Sequence, residues 1–303
     1  MGRFGKRIVL FLVTNLAVIV LLGVVLRVLG IDGLAFAGGY VDWRALLVLS
    51  AVIGFGGAFI SLALSKWMAR LLTRARVIDQ PRTAEEHELV EVVGRLARAA
   101  GVEMPEVAIY PSRDPNAFAT GARRNRSMVA VSAGLFEAMG PAEREAVLAH
   151  EITHVANGDM VTLTLVQGVL NTFVIFLSRI VGFAVDRAVF RNERGYGIGY
   201  WVSVIASEIL LGLLATIVVM WFSRRREFAA DAGAARLVGP RPMADALRSL
   251  GRYQAVPAAL PQSLDAFGIR GGKAGVIGGL FRSHPPLEAR IAALESMDAG
   301  RTV

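Results

Sequence analysis

The chain has 303 residues and a mass of 32.5 kDa, with 54% hydrophobic residues, only 19% charged residues and a mean hydropathy of +0.51. Soluble domains average about 25% charged residues, so this composition excludes an ordinary soluble enzyme as well as a disordered chain, and calls for a bilayer. The net charge of +8 comes without the basic, aromatic-interleaved stripe of a nucleic-acid binder, and the lack of cysteine excludes disulfides and thiolate chemistry; any metal must sit on His, Asp or Glu.

Residues 8–29 form an apolar run interrupted only by Thr14, Asn15 and Arg27, and residues 45–65 contain no charge at all. Each is long enough to cross a hydrocarbon core of about 30 Å as a helix. Ala35-Phe36-Ala37 offers the alternative of a cleaved signal peptide, but the first run is overlong for one and a second span follows. Arg3, Lys6 and Arg7 precede the first run, and Lys66, Arg70, Arg74 and Arg76 follow the second. That asymmetry predicts both outer flanks in the cytoplasm. Residues 70–81 read as an exposed, flexible segment.

Two further apolar stretches, 160–185 and 198–222, predict a spanning hairpin, with a buried or interfacial helical pair as the alternative. Arg179 and Glu208 lie inside them, and neither is assigned chemistry.

Between the second and third runs the pattern turns globular. Thr83-x-x-Glu86 reads as a capping box opening an amphipathic helix with Leu89, Val92, Val93, Leu96 and Ala97 on one face, ended by Gly101. His87, among Glu85, Glu86 and Glu88, reads as a solvated surface residue. Strands are expected at 107–110 and 128–132, with Phe118-Ala119-Thr120 able to pair between them. Gly140-Pro141 then starts a second helix.

That helix carries His150-Glu151-Ile152-Thr153-His154. Two histidines at i and i+4 share one helical face, so both imidazoles can reach one ion while Glu151 can act on a water beside it. A hydrolytic metal needs a third protein ligand. Glu227, in Arg224-Arg225-Arg226-Glu227-Phe228-Ala229-Ala230-Asp231, offers a carboxylate with Asp231 one turn further on. Asp231 could then accept the N–H of a ligand histidine. From spacing alone, Glu227 could equally be an ion-pair partner of the neighbouring arginines.

HEITH followed by Asn157-Gly158-Asp159, two N-terminal spans, and RRREFAAD after two more apolar runs resemble the HtpX family of bacterial membrane zinc proteases. That family is related to the CAAX prenyl endopeptidases, within the gluzincin metallopeptidases. The resemblance extends to Asn116-Ala117-Phe118-Ala119-Thr120-Gly121 and Ser283-His284-Pro285-Pro286. It implies one zinc per chain held by His150, His154 and Glu227, with Glu151 as catalytic base and Asp231 behind the ligands. It further implies an edge strand at Asn116, Ala117 and Phe118 that pairs with substrate backbone; a simple loop is the alternative. His284 would donate to the oxyanion of the tetrahedral intermediate, or serve in packing or as a surrogate ligand, and Arg290 is a second candidate for the oxyanion. The Gly-rich stretch 268–279 lacks nucleotide-binding spacing and reads as a mobile loop over the cleft.

The resulting expectation is an α+β, mainly helical, zincin-like integral membrane enzyme with about four spans. Residues 1–76 form an N-terminal hairpin, 77–159 and 223–303 two halves of a catalytic domain, and 160–222 a second hairpin. The expected activity is zinc endopeptidase action on misfolded or unassembled membrane proteins, at a cytoplasmic face of the bacterial inner membrane, with protein substrates and lipid as partners and no nucleic acid. A non-catalytic membrane scaffold or transporter with a degenerate motif is the rival. A protease with its motif inside a span is disfavoured, because the motif helix opens with the solvated Pro141-Ala142-Glu143-Arg144-Glu145.

Overall fold

The computed structural model describes residues 42–192, 196–253 and 284–299; the first apolar run and the Gly-rich stretch lie outside the described residues. The chain is mainly helical with one small mixed sheet, and divides into two compact units. One comprises the described residues up to Ser61 together with Leu163–Val219; the other comprises Leu62–Thr162 and the described residues from Met220 onward.

Three helices are long and apolar enough to cross a membrane: α1 (Trp43–Thr73), α5 (Asp159–Ala188) and α6 (Ile198–Val238). Within the first unit α1 and α5 meet where glycine allows it. A Cβ on Gly54 would lie 2.6 Å from the Thr172 backbone nitrogen, and one on Gly168 would run into the Phe55 ring. Such small-residue contacts let helix backbones approach without the help of a hydrophobic effect. The hairpin of α5 and α6 is closed by Asp186, whose carboxylate accepts the backbone N–H groups of Gly197 and Tyr200 and the Asn192 side chain. Arg179 and Glu208 pair across the hairpin at 2.8 Å, each sparing the other an unpaired charge in an apolar setting. Outward-facing Phe173, Leu177, Trp201, Ile209 and Leu213 are exposed. Such a surface suits lipid, so the hairpin is not a buried helical pair.

The second unit holds a four-stranded sheet in the order β1-β2-β4-β3, from β1 (Arg76–Val77), β2 (Glu106–Tyr110), β3 (Ala117–Thr120) and β4 (Met128–Ser132). β2 and β4 are parallel, whereas β1–β2 and β3–β4 are antiparallel. β3 therefore does not lie between β2 and β4, as the sequence had allowed; it forms the outer edge. Every residue of β3, β4 and most of β2 is buried, so the sheet carries an apolar core on each face.

One face is covered by α2 (Ala84–Ala99), α4 (Pro141–Asn157), α7 (Pro240–Tyr253) and α8 (Leu287–Ala299), whose Leu89, Val93, Leu148, Ile152, Leu247 and Leu294 share one cluster. The other face packs Tyr110, Phe118 and Met128 around Ala69 of α1. The short α3 (Ala133–Ala138) follows β4 directly, with Ser132 as its N-cap.

Thr83 caps α2 as expected, accepting the Glu86 N–H, but Glu86 turns its own carboxylate to the Arg82 N–H and to Arg76, so only half of the capping box forms. His87 is exposed. Residues 70–81 are not the flexible segment expected. Their first part completes α1, 76–77 form β1, and Ile78 is buried with its N–H on the Val107 carbonyl. The polar composition of this stretch reflects one exposed side of an ordered segment.

Candidate metal centre

The chemistry-bearing residues converge in the second unit, from α4, α6 and α8. α4 begins at Gly140-Pro141, where the Glu143 carboxylate accepts the Gly140 N–H, and ends at Gly158 in the left-handed region, φ 69°. Apolar residues surround the motif on the same helix, so His150, Glu151 and His154 are all carried into the core. α6 does not stop at the end of its apolar run. It continues through Arg224-Arg225-Arg226 as one 41-residue helix and brings Glu227 and Asp231 to the histidines. The approach is close because position 233 is glycine: a Cβ there would lie 2.2 Å from Thr153 Cγ2 on α4.

The Nε2 atoms of His150 and His154 are 3.1 Å apart. Glu227 Oε2 is 3.5 Å from the first, and Oε1 is 3.3 Å from the second. All three residues are buried, and their donor atoms lie within 4.8 Å of one another. A tetrahedral zinc with bonds of about 2.0–2.1 Å to nitrogen and oxygen has edges of about 3.3–3.4 Å between ligands. The observed spacings match that figure to within a few tenths of an ångström.

The far side of each imidazole faces a carboxylate. His154 Nδ1 lies 2.6 Å from Asp159 Oδ2, and His150 Nδ1 lies 3.0 Å from Asp231 Oδ1, in contact but bent away from good hydrogen-bond geometry. Carboxylates at Nδ1 favour the tautomer with the proton there, which turns both Nε2 lone pairs inward. Two lone pairs and a carboxylate then point at one another in a dry interior, an arrangement that repels itself until a cation sits between them. The donor set fits zinc.

Without a cation the same contacts hold protons on the rings. Burial disfavours a charged His154, but Asp159 and Glu227 outweigh it and push its pKa up to about 10; Asp231 and Glu227 likewise raise His150 against burial. Burial pushes the Glu151 carboxyl up to about 7 against the lowering pull of the two histidines. The Ala119 backbone of β3 is among the groups that lower the Glu151 carboxyl, so the edge strand runs close to Glu151.

His284 donates through Nδ1 to Glu227 Oε2 at 2.7 Å, and its buried Nε2 has no protein partner among the described residues. Arg290, fully buried on α8, forms a two-pronged pair with Asp231 at 2.7 and 2.6 Å and reaches Glu227 with its third nitrogen at 3.4 Å. Asn116 is buried at the start of β3, where its N–H meets Ser132 Oγ and its carbonyl accepts the Ser132 N–H. Ala117 and Phe118 follow on the strand. Two supporting roles escaped the sequence reading: Asp159 as the partner of His154, and Arg290 as the clamp on Asp231. The first had a signal, an acid directly after a helix-ending Gly158 five residues beyond His154; the second had none short of the fold.

Residues 83–298 match peptidase family M48. The chain belongs to peptidase family M48. It is 60% identical over 292 residues to a Protease HtpX homolog of Nitrosomonas eutropha, covering 96% of this chain and 99% of that one. To Protease HtpX of Thioalkalivibrio sulfidiphilus it is 57% identical over 293 residues, again covering 96% and 99%. Among solved structures it resembles the crystal structure of S. mikatae Ste24p with a TM-score of 0.61 at 18% identity, covering 82% of this chain and 58% of that one, which is a likeness of fold. As an M48 peptidase with three apolar membrane-length helices, the chain is a multi-pass membrane metalloprotease.

Proposed function

We propose that this M48 peptidase is a zinc endopeptidase of the bacterial inner membrane, with its active site on the cytoplasmic side and Glu151 as its general base. The observation that carries the reading is the spacing of His150, His154 and Glu227 at the edges of a zinc-sized tetrahedron, with each imidazole backed by a carboxylate. Zinc bound there supplies Lewis acidity toward a water and a substrate carbonyl.

The remaining work falls to the chain. Glu151, one residue from a proposed ligand and buried, takes a proton from the attacking water and returns it to the leaving amine. β3, an edge strand close to Glu151, offers backbone groups for an extended substrate, with Asn116 leading into it and Ala117 and Phe118 its first two residues. His284 holds Glu227 through Nδ1, and its second ring nitrogen is the candidate donor to the developing oxyanion. Arg290 acts through Asp231 as a positioning residue. Binding by edge pairing selects extended chain over sequence, which suits misfolded or unassembled membrane proteins as substrates.

The cytoplasmic orientation rests on the arginines beside the spans. Lys66, Arg70, Arg74 and Arg76 follow the apolar run of α1, and Arg224, Arg225 and Arg226 follow that of α6. Glu151→Gln tests the mechanism: metal content stays that of the wild type while cleavage of an unfolded protein falls by about 10²–10⁴. Cleavage at the wild-type rate would remove Glu151 from the role.

A further inference from the structure

β2 ends at Tyr110 and β3 begins at Ala117, and β4 stands between the two strands. β4 runs parallel to β2 and antiparallel to β3, so the chain from Pro111 to Asn116 must cross at the C-terminal end of β4, where Ser132 lies. The crossing is seated on Ser132 and on the start of α3. Ser132 Oγ accepts the Asn116 N–H at 2.9 Å and the Leu135 N–H at 3.2 Å, while the Ser132 N–H donates to the Asn116 carbonyl at 2.9 Å. Two residues on, the Gly134 N–H donates to the Ser112 carbonyl at 2.8 Å. That approach leaves no room for a side chain: a Cβ on Gly134 would lie 2.0 Å from the Arg113 carbonyl oxygen.

Ser132 is fully buried, and its hydroxyl oxygen spends both lone pairs on these two amides. Without it, two buried N–H groups would lose their acceptor. One of them belongs to Asn116, the residue that leads into β3. From there the register runs from Ala117 opposite Val131 to Thr120 opposite Met128. It keeps Ala119 on the face covered by α4 and Phe118 on the other. A slip of one residue at the entry would exchange the two faces.

We propose that Ser132, seconded by Gly134, is a positioning residue for substrate binding: it fixes the entry and register of β3, so an extended substrate meets a strand already in its bound shape. The inference rests on the reading of β3 as the strand that pairs with substrate. A preformed strand avoids the ordering cost of binding. Its loss therefore weakens substrate and transition state alike, which raises KM and leaves kcat in place.

Steady-state cleavage of a fluorescence-quenched linear peptide by the full-length, zinc-loaded protein in detergent tests the proposal. Ser132→Ala should raise KM on the order of tenfold, with kcat and zinc content close to those of the wild type. Gly134→Ala should shift KM in the same direction. A merely structural role would instead lower the active fraction, so kcat and zinc content would fall together at an unchanged KM, and that result would overturn the proposal. Amide exchange of the unaltered protein needs no variant to fold: residues 114–117 should exchange slowly, and fast exchange at Asn116 would equally overturn it. The same peptide N-methylated at alternate residues, in either register, separates two failures. A KM raised by N-methylation but not by Ser132→Ala would reject the role of Ser132 and leave edge pairing intact. A KM that N-methylation leaves unchanged would reject both.

Discussion

Asp231 connects His150, a proposed metal ligand, to a second helix: it touches His150 Nδ1 on one side and is clamped by Arg290 on the other. Asp159 does the same for His154, at the point where α4 gives way to α5. These carboxylates orient the rings for a metal, and in its absence they retain protons on them. The sign of the pH effect follows. Asp159 and Glu227 push His154 up, and Asp231 and Glu227 raise His150, so near neutral pH the metal-free site carries at least one proton that a cation must displace. Zinc affinity should therefore rise with pH through neutrality, by about tenfold per unit for each displaced proton, and fall as the medium is acidified. Calorimetric titrations in buffers of different ionisation enthalpy measure the released protons directly; zero release between pH 6 and 8 would contradict the arrangement of Asp159 and Asp231 behind the ligands.

At the scale of elements, α6 explains why the third ligand is hard to place from sequence alone. Its apolar run and its acidic segment read as two pieces, with arginines between them offering Glu227 a plausible surface partner. One uninterrupted helix instead carries Glu227 into the core. The motif on α4, the N-cap of α2, and the strands at 106–110 and 128–132 were legible because each has a local cause: period, cap or alternation. The outer position of β3 was not, since strand order depends on which faces must be buried. The clamp of Arg290 on Asp231 joins residues 59 apart, and no local pattern announces it. Gly233 was equally silent, although it sets the distance between α4 and α6. Gly233→Ala should place a methyl against Thr153, cost about 1–3 kcal/mol and weaken metal binding together with stability. Thermal unfolding and zinc titration of the detergent-solubilised variant measure both; wild-type values would mean that α4 and α6 can separate without disturbing the ligands.

For the whole molecule, the two units divide the labour: apolar helices bearing exposed Phe, Trp and Leu, and a mixed sheet layered with helices that buries the cluster of His150, His154 and Glu227. Membrane helices α5 and α6 are inserted in sequence between the HEITH helix and the third ligand, so the catalytic unit assembles from chain on both sides of a hairpin. Ser112 and Arg236 both belong to that unit and must share one side of the membrane. Cysteines placed at either should react with an impermeant reagent only after the inner membrane is opened; labelling from outside would reverse the orientation. The central claim is the ligand set itself, and zinc stoichiometry across variants tests it most directly. The account predicts one zinc per chain in the wild type and in Glu151→Gln, and little or none in Glu227→Ala. A full complement of zinc in Glu227→Ala, or a wild type that binds none, would contradict it.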